Sequence, residues 1–190
     1  LTRAMGGVKI KVGHAGTLDP LASGVMVVCT GRATKQIDTL QAGVKEYIAT
    51  LRLGATTPSF DLEHPIDHTY ATCHIDHQLV ETQLKKFIGD IWQTPPAFSA
   101  VKVDGKRAYD LARKGKEVEL KPKLLRIDEL ELLDCALAGA EKFLTIRVVC
   151  SKGTYIRALA RDIGEALGSG AHLTSLRRTR VGDFRVEDCM

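Results

Sequence analysis

The sequence predicts one domain of the α+β class, built on a mixed, largely antiparallel sheet that helices and loops flank. Strand-like segments outnumber helical ones and do not alternate with them one by one, as they would around a parallel sheet. The length of 190 residues fits a single domain. Hydrophobic residues make up 44% and charged residues 26%, which is typical of a globular protein and excludes a disordered, collagen-like or coiled-coil chain.

In the first half, two segments have strand patterns and one long segment has none. Residues 24–30 are a short, apolar, β-branched run, which predicts a buried strand. Residues 46–53 alternate between apolar and polar side chains, which predicts a second strand with one face in the core. Residues 56–77 are rich in Thr, Pro, Asp and His without a sustained period, so we expect a long surface loop there.

In the second half, helical and strand patterns are mixed. Asp76 can cap a helix whose apolar stripe continues at helical spacing as far as Ile91. After two prolines, residues 98–103 predict a strand and residues 107–114 a short helix. The remaining elements are strands at 124–133 and 143–150, followed by a helix at 155–167.

Charge, cysteine content and hydropathy indicate the class of partner and the cellular compartment. The net charge is +4, and the excess lies in residues 100–190, which hold eighteen basic and fourteen acidic side chains. Such a bias indicates either a polyanionic partner or simply a solvated surface. The five cysteines are an odd number and widely spaced, which does not suggest a disulfide framework, so we expect a reducing cytoplasm. No apolar run is long enough to cross a membrane, and no membrane contact is expected.

The most unusual stretch is Gly13-His-Ala-Gly-Thr-Leu-Asp-Pro-Leu-Ala-Ser-Gly24, directly before the first predicted strand. Its glycines and proline predict a tightly bent, rigid loop. Pro20 restricts Asp19 to extended conformations, which fixes the direction of that carboxylate. From the residues alone, the loop either presents His14 and Asp19 as functional groups or is a turn in which Asp19 only bonds local amides.

This loop resembles the signature of the TruB and dyskerin family of pseudouridine synthases. Four further family motifs follow in order at Lys45-Glu-Tyr47, Gln93-Thr-Pro-Pro-Ala-Phe-Ser-Ala-Val-Lys102, Ser151-Lys-Gly-Thr-Tyr-Ile-Arg157 and Gly170-Ala-His-Leu-Thr-Ser-Leu-Arg-Arg178, with a matching segment at 105–115. The resemblance implies the pseudouridine synthase fold, a bent sheet with the active-site cleft at its centre. It also implies an isomerase that converts the T-loop uridine of tRNA, at position 55, to pseudouridine by base flipping.

The resemblance assigns catalytic roles to three residues. Asp19 is the expected nucleophile, Arg157 its expected ion-pair partner, and Tyr47 the expected ring that stacks on the flipped uracil. Leu176 matches the apolar residue on the opposite side of the base, and His14 matches a residue that fills the space left by the flipped nucleotide.

The same resemblance implies an RNA surface. The basic segment 102–116 is similar to an insertion that closes over the T-arm of tRNA. Side chains expected to contact RNA are Lys102, Arg107, Tyr109, Arg113, Lys152, Arg177 and Arg178. The implied partner is the tRNA T-arm stem-loop, with no obligate protein partner, a monomeric state, and neither a cofactor nor a metal.

Compared with the family, we expect residues 1–190 to be a catalytic domain that lacks the family's first N-terminal motif and a C-terminal PUA domain. Two alternatives remain open at this point. The first is a metal site at residues 63–77, which carry several His, Cys and Glu side chains. Their spacing fits no common zinc pattern well. A non-catalytic RNA-binding or RNA-folding module would keep the basic surface but would not need Asp19.

Overall fold

The computed structural model describes residues 10–99, 102–103, 106–108 and 120–189. The described strands are β1 Val12–His14, β2 Ala22–Gly24, β3 Val28–Thr30, β4 Lys45–Leu53, β5 Ala55–Thr56, β6 His68–Thr69, β7 Gly89–Gln93, β8 Lys102–Val103, β9 Lys106–Arg107, β10 Lys123–Ala136, β11 Lys142–Cys150, β12 Ala171–Val181 and β13 Phe184–Arg185. The α-helices are α1 Ile37–Ala42, α2 His77–Leu84 and α3 Ile156–Ala166. Short 3₁₀ helices occupy Gly31–Gln36, Lys85–Phe87 and Val186–Asp188.

The centre of the fold is a seven-stranded sheet in the order β13-β12-β4-β11-β10-β7, with β2 added beside β12. Every pairing along this path is antiparallel, and only β2 runs parallel to its neighbour β12. The predicted α+β class with a mixed, largely antiparallel sheet is therefore confirmed. Irregularities in the β10 and β12 ladders locally change strand direction, as bulges do in bent sheets.

The core lies between this sheet and the helices α2 and α3. Ala49 and Leu51 of β4 are fully buried there, as the alternation of that segment predicts. The apolar stripe of α3 faces the sheet, with Leu159 and Ile163 fully buried. Burying each such Leu or Ile contributes about 1.5–3 kcal/mol, so α3 is held firmly against the sheet. This packing fixes the N-terminal turn of α3, which carries part of the candidate site.

Two predicted elements differ in the structure. The segment predicted as one strand at 24–30 divides into the end of β2 and the strand β3, which belong to different sheets. The chain turns at Gly24, whose φ of +103° suits glycine and few other residues. The helix that Asp76 caps, through a 2.7 Å bond from the Leu79 amide, does not continue to Ile91. Gly89, with φ +100°, begins strand β7 instead.

Other sequence predictions are met in part or missed. Strands β1 and β12 were not predicted, although both carry family motifs. Of the strand predicted at 98–103, Lys102–Val103 is a strand paired with β9, residues 98–99 are not in a strand, and residues 100–101 lie outside the described residues. The helix predicted at 107–114 lies mostly outside the described residues. The segment predicted as a surface loop at 56–77 is mainly irregular, with the short β5–β6 pair near its base. Within the described residues, no helix is long and apolar enough to span a membrane.

Candidate active site

Asp19 lies in the loop between β1 and β2, at the rim of a cavity of about 420 Å³. The loop is closed by two backbone hydrogen bonds, from the Ala15 amide to the Val27 carbonyl and from the Ala22 amide to the Asp19 carbonyl, each 2.9 Å long. The Asp19 side chain is 33% exposed. The carboxylate is therefore held by the fold while one side of it remains accessible from the cavity.

Arg157, in the first turn of α3, binds Asp19 with two parallel hydrogen bonds. Its Nε donates to Asp19 Oδ2 and its Nη2 to Oδ1, both at 3.0 Å. The remaining donors reach the carbonyls of Ser59 at 3.2 Å and Phe98 at 2.9 Å, so the guanidinium is fixed from three directions. Because this pair is bidentate and Arg157 is only 6% exposed, it fixes the orientation of the carboxylate.

Asp61 is a second carboxylate at this guanidinium, and the sequence analysis did not single it out. Its Oδ2 lies 3.7 Å from Arg157 Nε, and its side chain is only 7% exposed. Hydrogen bonds from the Thr57 hydroxyl to the Asp61 carbonyl and from the Glu63 amide to Asp61 Oδ1 hold it there. No periodic pattern marks this residue, which sits in the irregular segment after β5. The sequence offers no local signal for its contact with Arg157.

Tyr47 and Leu176 line the same cavity as Asp19, from the neighbouring strands β4 and β12. Burial raises the pKa of the Tyr47 phenol to about 12, and the nearby charge of Arg178 opposes that effect. The phenol is therefore neutral at physiological pH. A ring and an aliphatic side chain beside a carboxylate form a suitable slot for a planar base.

Lys45 closes another part of the cavity at the start of β4. The residue is only 6% exposed, and its Nζ donates to the carbonyls of Gln41 and Gly43. Burial lowers the pKa of this amine, and the positive charges of Arg178 and Lys152 act in the same direction. This end of the cavity is rich in cationic groups.

Arg178 lines the cavity but is almost fully buried. The expectation was an RNA contact, but the residue is only 2% exposed. Its guanidinium donates to the backbone carbonyls of Val25, Thr17 and Gly16 at 2.8–3.2 Å. These bonds tie the guanidinium to the backbone around Asp19 at the cavity, and the RNA contact of Arg178 stays a prediction.

The other expected RNA contacts are placed in different ways. Arg177 is exposed on β12, and Lys152 is exposed and lines the cavity. His14 is exposed on β1, five residues before Asp19, but does not line the described cavity. Outside the described parts lie the residues Tyr109 and Arg113 and the side chains of Lys102 and Arg107, whose backbones form β8 and β9.

The alternative of a metal site at 63–77 gains no support from the described residues. No group of three or more His, Cys, Asp or Glu side chains among them is arranged to hold a metal ion. His74 instead bonds the Leu167 carbonyl at 2.9 Å, and His77 lies 3.8 Å from Glu81 on its own helix. These two histidines have local protein partners.

Comparison with known proteins gives consistent matches along the chain. Residues 3–156 match the model of the TruB family pseudouridylate synthase N-terminal domain, and residues 157–190 match that of the tRNA pseudouridylate synthase B C-terminal domain. The tRNA pseudouridine synthase B of Bacteroides thetaiotaomicron is 70% identical over 190 residues, which are 100% of this chain and 79% of the relative. That of Flavobacterium johnsoniae is 51% identical over 182 residues, 96% of this chain and 78% of the relative.

Two solved structures of complexes contain a chain with a similar fold. A chain in the crystal structure of a Cbf5-Nop10-Gar1 complex is 33% identical, with a TM-score of 0.66 over 92% of this chain and 41% of that one. A chain in the structure of an H/ACA RNP bound to a substrate RNA containing 2'-deoxyuridine is 28% identical, with a TM-score of 0.63 over 92% and 40%. The chain described here thus spans about two fifths of those proteins.

Proposed function

This chain belongs to the TruB family of pseudouridine synthases, and on that premise we propose that it isomerises a uridine of tRNA, at position 55 in the T-loop, to pseudouridine. The single observation that carries the proposal is the bidentate Asp19–Arg157 pair at a cavity that Tyr47 and Leu176 also line. These four side chains come from four separate parts of the chain.

The reaction breaks the bond between ribose C1′ and uracil N1, turns the base, and forms a bond from C1′ to uracil C5. The hydrogen on C5 is lost to solvent and N1 gains a proton, so the rearrangement balances without an oxidant, a reductant or an energy source. A carboxylate can serve as a temporary nucleophile in such a sequence. Asp19 has that role here, whether the covalent bond forms at C1′, at the uracil ring, or is bypassed through a glycal.

The surroundings of Asp19 suit a base that leaves its stack and enters the protein. Arg157 fixes the direction of the carboxylate, while its exposed third faces the space where the base would lie. The neutral Tyr47 ring offers a stacking surface. Lys45 and Arg178 add positive charge close to a base that carries negative charge once its bond to ribose is broken.

Binding of the T-arm would rely on exposed basic side chains beside the site. The exposed Arg177 and Lys152 lie beside the site and would contact phosphates, which gives affinity without sequence readout. We propose in addition that the protein works as a cytoplasmic monomer on tRNA without a protein partner. Its five widely spaced cysteines support a reducing compartment, and the expected reaction needs only the enzyme and its RNA.

The test is tritium release from a T-arm stem-loop that carries [5-³H]uridine at position 55 only, under single-turnover conditions. The wild-type protein should release the label, and Asp19→Asn should release none. Asp38→Asn, the same change at an exposed aspartate of α1, is the matched control and should behave like the wild type. A stem-loop labelled at a different uridine should stay silent, which tests the position.

Two results would contradict the proposal. Equal release by wild type and Asp19→Asn would remove Asp19 as the nucleophile. No release by either protein, with the RNA still bound, would favour a non-catalytic RNA-binding module.

A further inference from the structure

Arg178 is a buried cation that donates hydrogen bonds to three backbone carbonyls and lies beside the Tyr47 phenol. Its Nε donates to Val25 at 2.8 Å, its Nη1 to Thr17 at 3.1 Å and its Nη2 to Gly16 at 3.2 Å. Among the described residues, no carboxylate lies within ion-pair distance of it. A buried guanidinium without a counter-ion is costly, and an apolar side chain could fill the same space at lower cost. The position therefore calls for an explanation other than packing.

The acceptors of Arg178 lie on both sides of Asp19 in the chain. Gly16 and Thr17 form the limb of the loop that leads into Asp19, and Val25 follows the limb that leads out. The backbone of Arg178 also takes part, because its carbonyl accepts a 2.9 Å hydrogen bond from the Val25 amide. One residue thus holds both limbs of the loop that presents the carboxylate.

The outgoing limb is pressed directly against Arg178. Strand β2 pairs in parallel with β12, and Gly24 stands opposite Arg178 in that register. A Cβ atom at Gly24 would lie 2.1 Å from the Arg178 carbonyl oxygen, well inside van der Waals contact. The loop therefore has no freedom to move toward β12, and the guanidinium stops it from moving away.

The same strand also positions the stacking ring. Arg178 stands opposite Tyr47 in the ladder between β12 and β4, and both line the cavity. A displacement of Arg178 would consequently change the distance between Asp19 and the ring on which the base stacks. Reacting groups that are misplaced by about 1 Å can lose about 10²-fold in rate, so this spacing matters for the chemistry.

We propose that Arg178 is a positioning residue that clamps both limbs of the Asp19 loop and sets the spacing between Asp19 and Tyr47, instead of contacting RNA. The inference rests on the proposed function, since it assigns to Arg178 a role in the same reaction. It predicts that changes at Arg178 act on the rate of the chemical step and not on RNA affinity.

The experiment compares Arg178→Lys with the wild type. Lysine keeps the charge and most of the stem but offers one nitrogen where arginine spreads its donors over three, so it cannot hold both limbs. Three quantities are measured: the single-turnover tritium release rate at saturating protein, the Kd of the stem-loop in an Asp19→Asn background, and the midpoint of thermal unfolding. Arg126→Lys is the matched control, because Arg126 is an exposed arginine at the β7–β10 edge, paired with Asp90 and Asp128.

We expect the Arg178→Lys rate to fall about 10²-fold while the Kd stays within about threefold and the protein stays folded. Arg126→Lys should match the wild type in rate and Kd. An unchanged rate would overturn the proposal. A weaker Kd with an intact rate at saturation would overturn it as well, because it would return Arg178 to the RNA surface.

Two further outcomes are also decisive. If Arg178→Lys does not fold, Arg178 maintains the whole domain and not the loop, and the proposal is wrong. If the wild type itself releases no tritium, the proposed function fails first, and the role of Arg178 in it fails with it. Release by the wild type together with full activity of Arg178→Lys would refute the positioning role alone.

Discussion

Replacing Arg157 by lysine separates the charge of this residue from its geometry. Arg157 donates two hydrogen bonds to Asp19 and one each to the carbonyls of Ser59 and Phe98. A lysine ammonium keeps the positive charge but has a single nitrogen, so it can reach one Asp19 oxygen and cannot span all four acceptors. The substitution therefore leaves an ion pair in place while it removes the fixed orientation of the carboxylate.

The structure sets the expected size of both effects. Losing one hydrogen bond to a charged carboxylate costs about 1.5–3 kcal/mol. If that bond persists in the transition state, the single-turnover rate falls roughly 10- to 150-fold. The two buried carbonyls that lose their donor cost about 1 kcal/mol each, which lowers the unfolding midpoint by about 4–8 °C in a domain of this size.

The assay is single-turnover tritium release at saturating protein, combined with thermal unfolding of the same preparations. Arg161→Lys is the control, one turn further along α3, where Arg161 Nη2 bonds the Thr94 carbonyl at 3.1 Å. That variant should lose some stability but no rate. A rate for Arg157→Lys within about threefold of the wild type would refute the claim that bidentate orientation of Asp19 matters.

Three further predictions use the same assay. Asp61→Asn removes a buried charge 3.7 Å from Arg157 Nε but keeps an oxygen that can accept from the Glu63 amide. The single-turnover rate should therefore fall roughly tenfold with unchanged Kd. An unaffected rate would show that Asp61 is only structural. Tyr47→Phe should keep RNA affinity. Burial raises the folded pKa of Tyr47 to about 12, above the ordinary 10.0, so the contribution of Tyr47 to the free energy of unfolding is complete below pH 10 and is lost as the pH rises toward 12. In urea unfolding, the wild type should therefore lose stability over that range, and Tyr47→Phe should lose less. RNA affinity should fall with salt, and Arg177→Gln should lower the slope of log K against log salt by about 1, whereas an unchanged slope would remove Arg177 from the interface.

The sequence was most informative where function constrains the local residues. The glycines and proline around Asp19 predicted a rigid loop, and the family motifs pointed to Arg157, 138 residues away, which the structure brings into contact with Asp19. The alternation in residues 46–53 also predicted which side of β4 is buried. These signals are local, and each can be read within about ten residues.

The remaining features depend on contacts between distant segments. Arg177 and Arg178 look alike in sequence, but successive residues of a strand point to opposite faces, so one is exposed and the other buried. Without the prediction of β12 as a strand, the two could not be distinguished. Asp61 was missed for a similar reason, because nothing in an irregular loop indicates that it will meet the first turn of α3.

The two buried arginines have complementary effects on the site. Arg157 is neutralised by the carboxylates around it, and its main effect is orientation. Arg178 has no carboxylate partner among the described residues, so its positive charge persists next to Lys45 and the Tyr47 ring. The cavity is lined by four basic side chains (Lys45, Lys152, Arg157 and Arg178) and two acidic ones (Asp19 and Glu63), with Asp61 beside Arg157. If the uracil leaves ribose as an anion, fixed positive charge at this position stabilises the separated base more than the intact nucleotide, and that difference would accelerate the reaction.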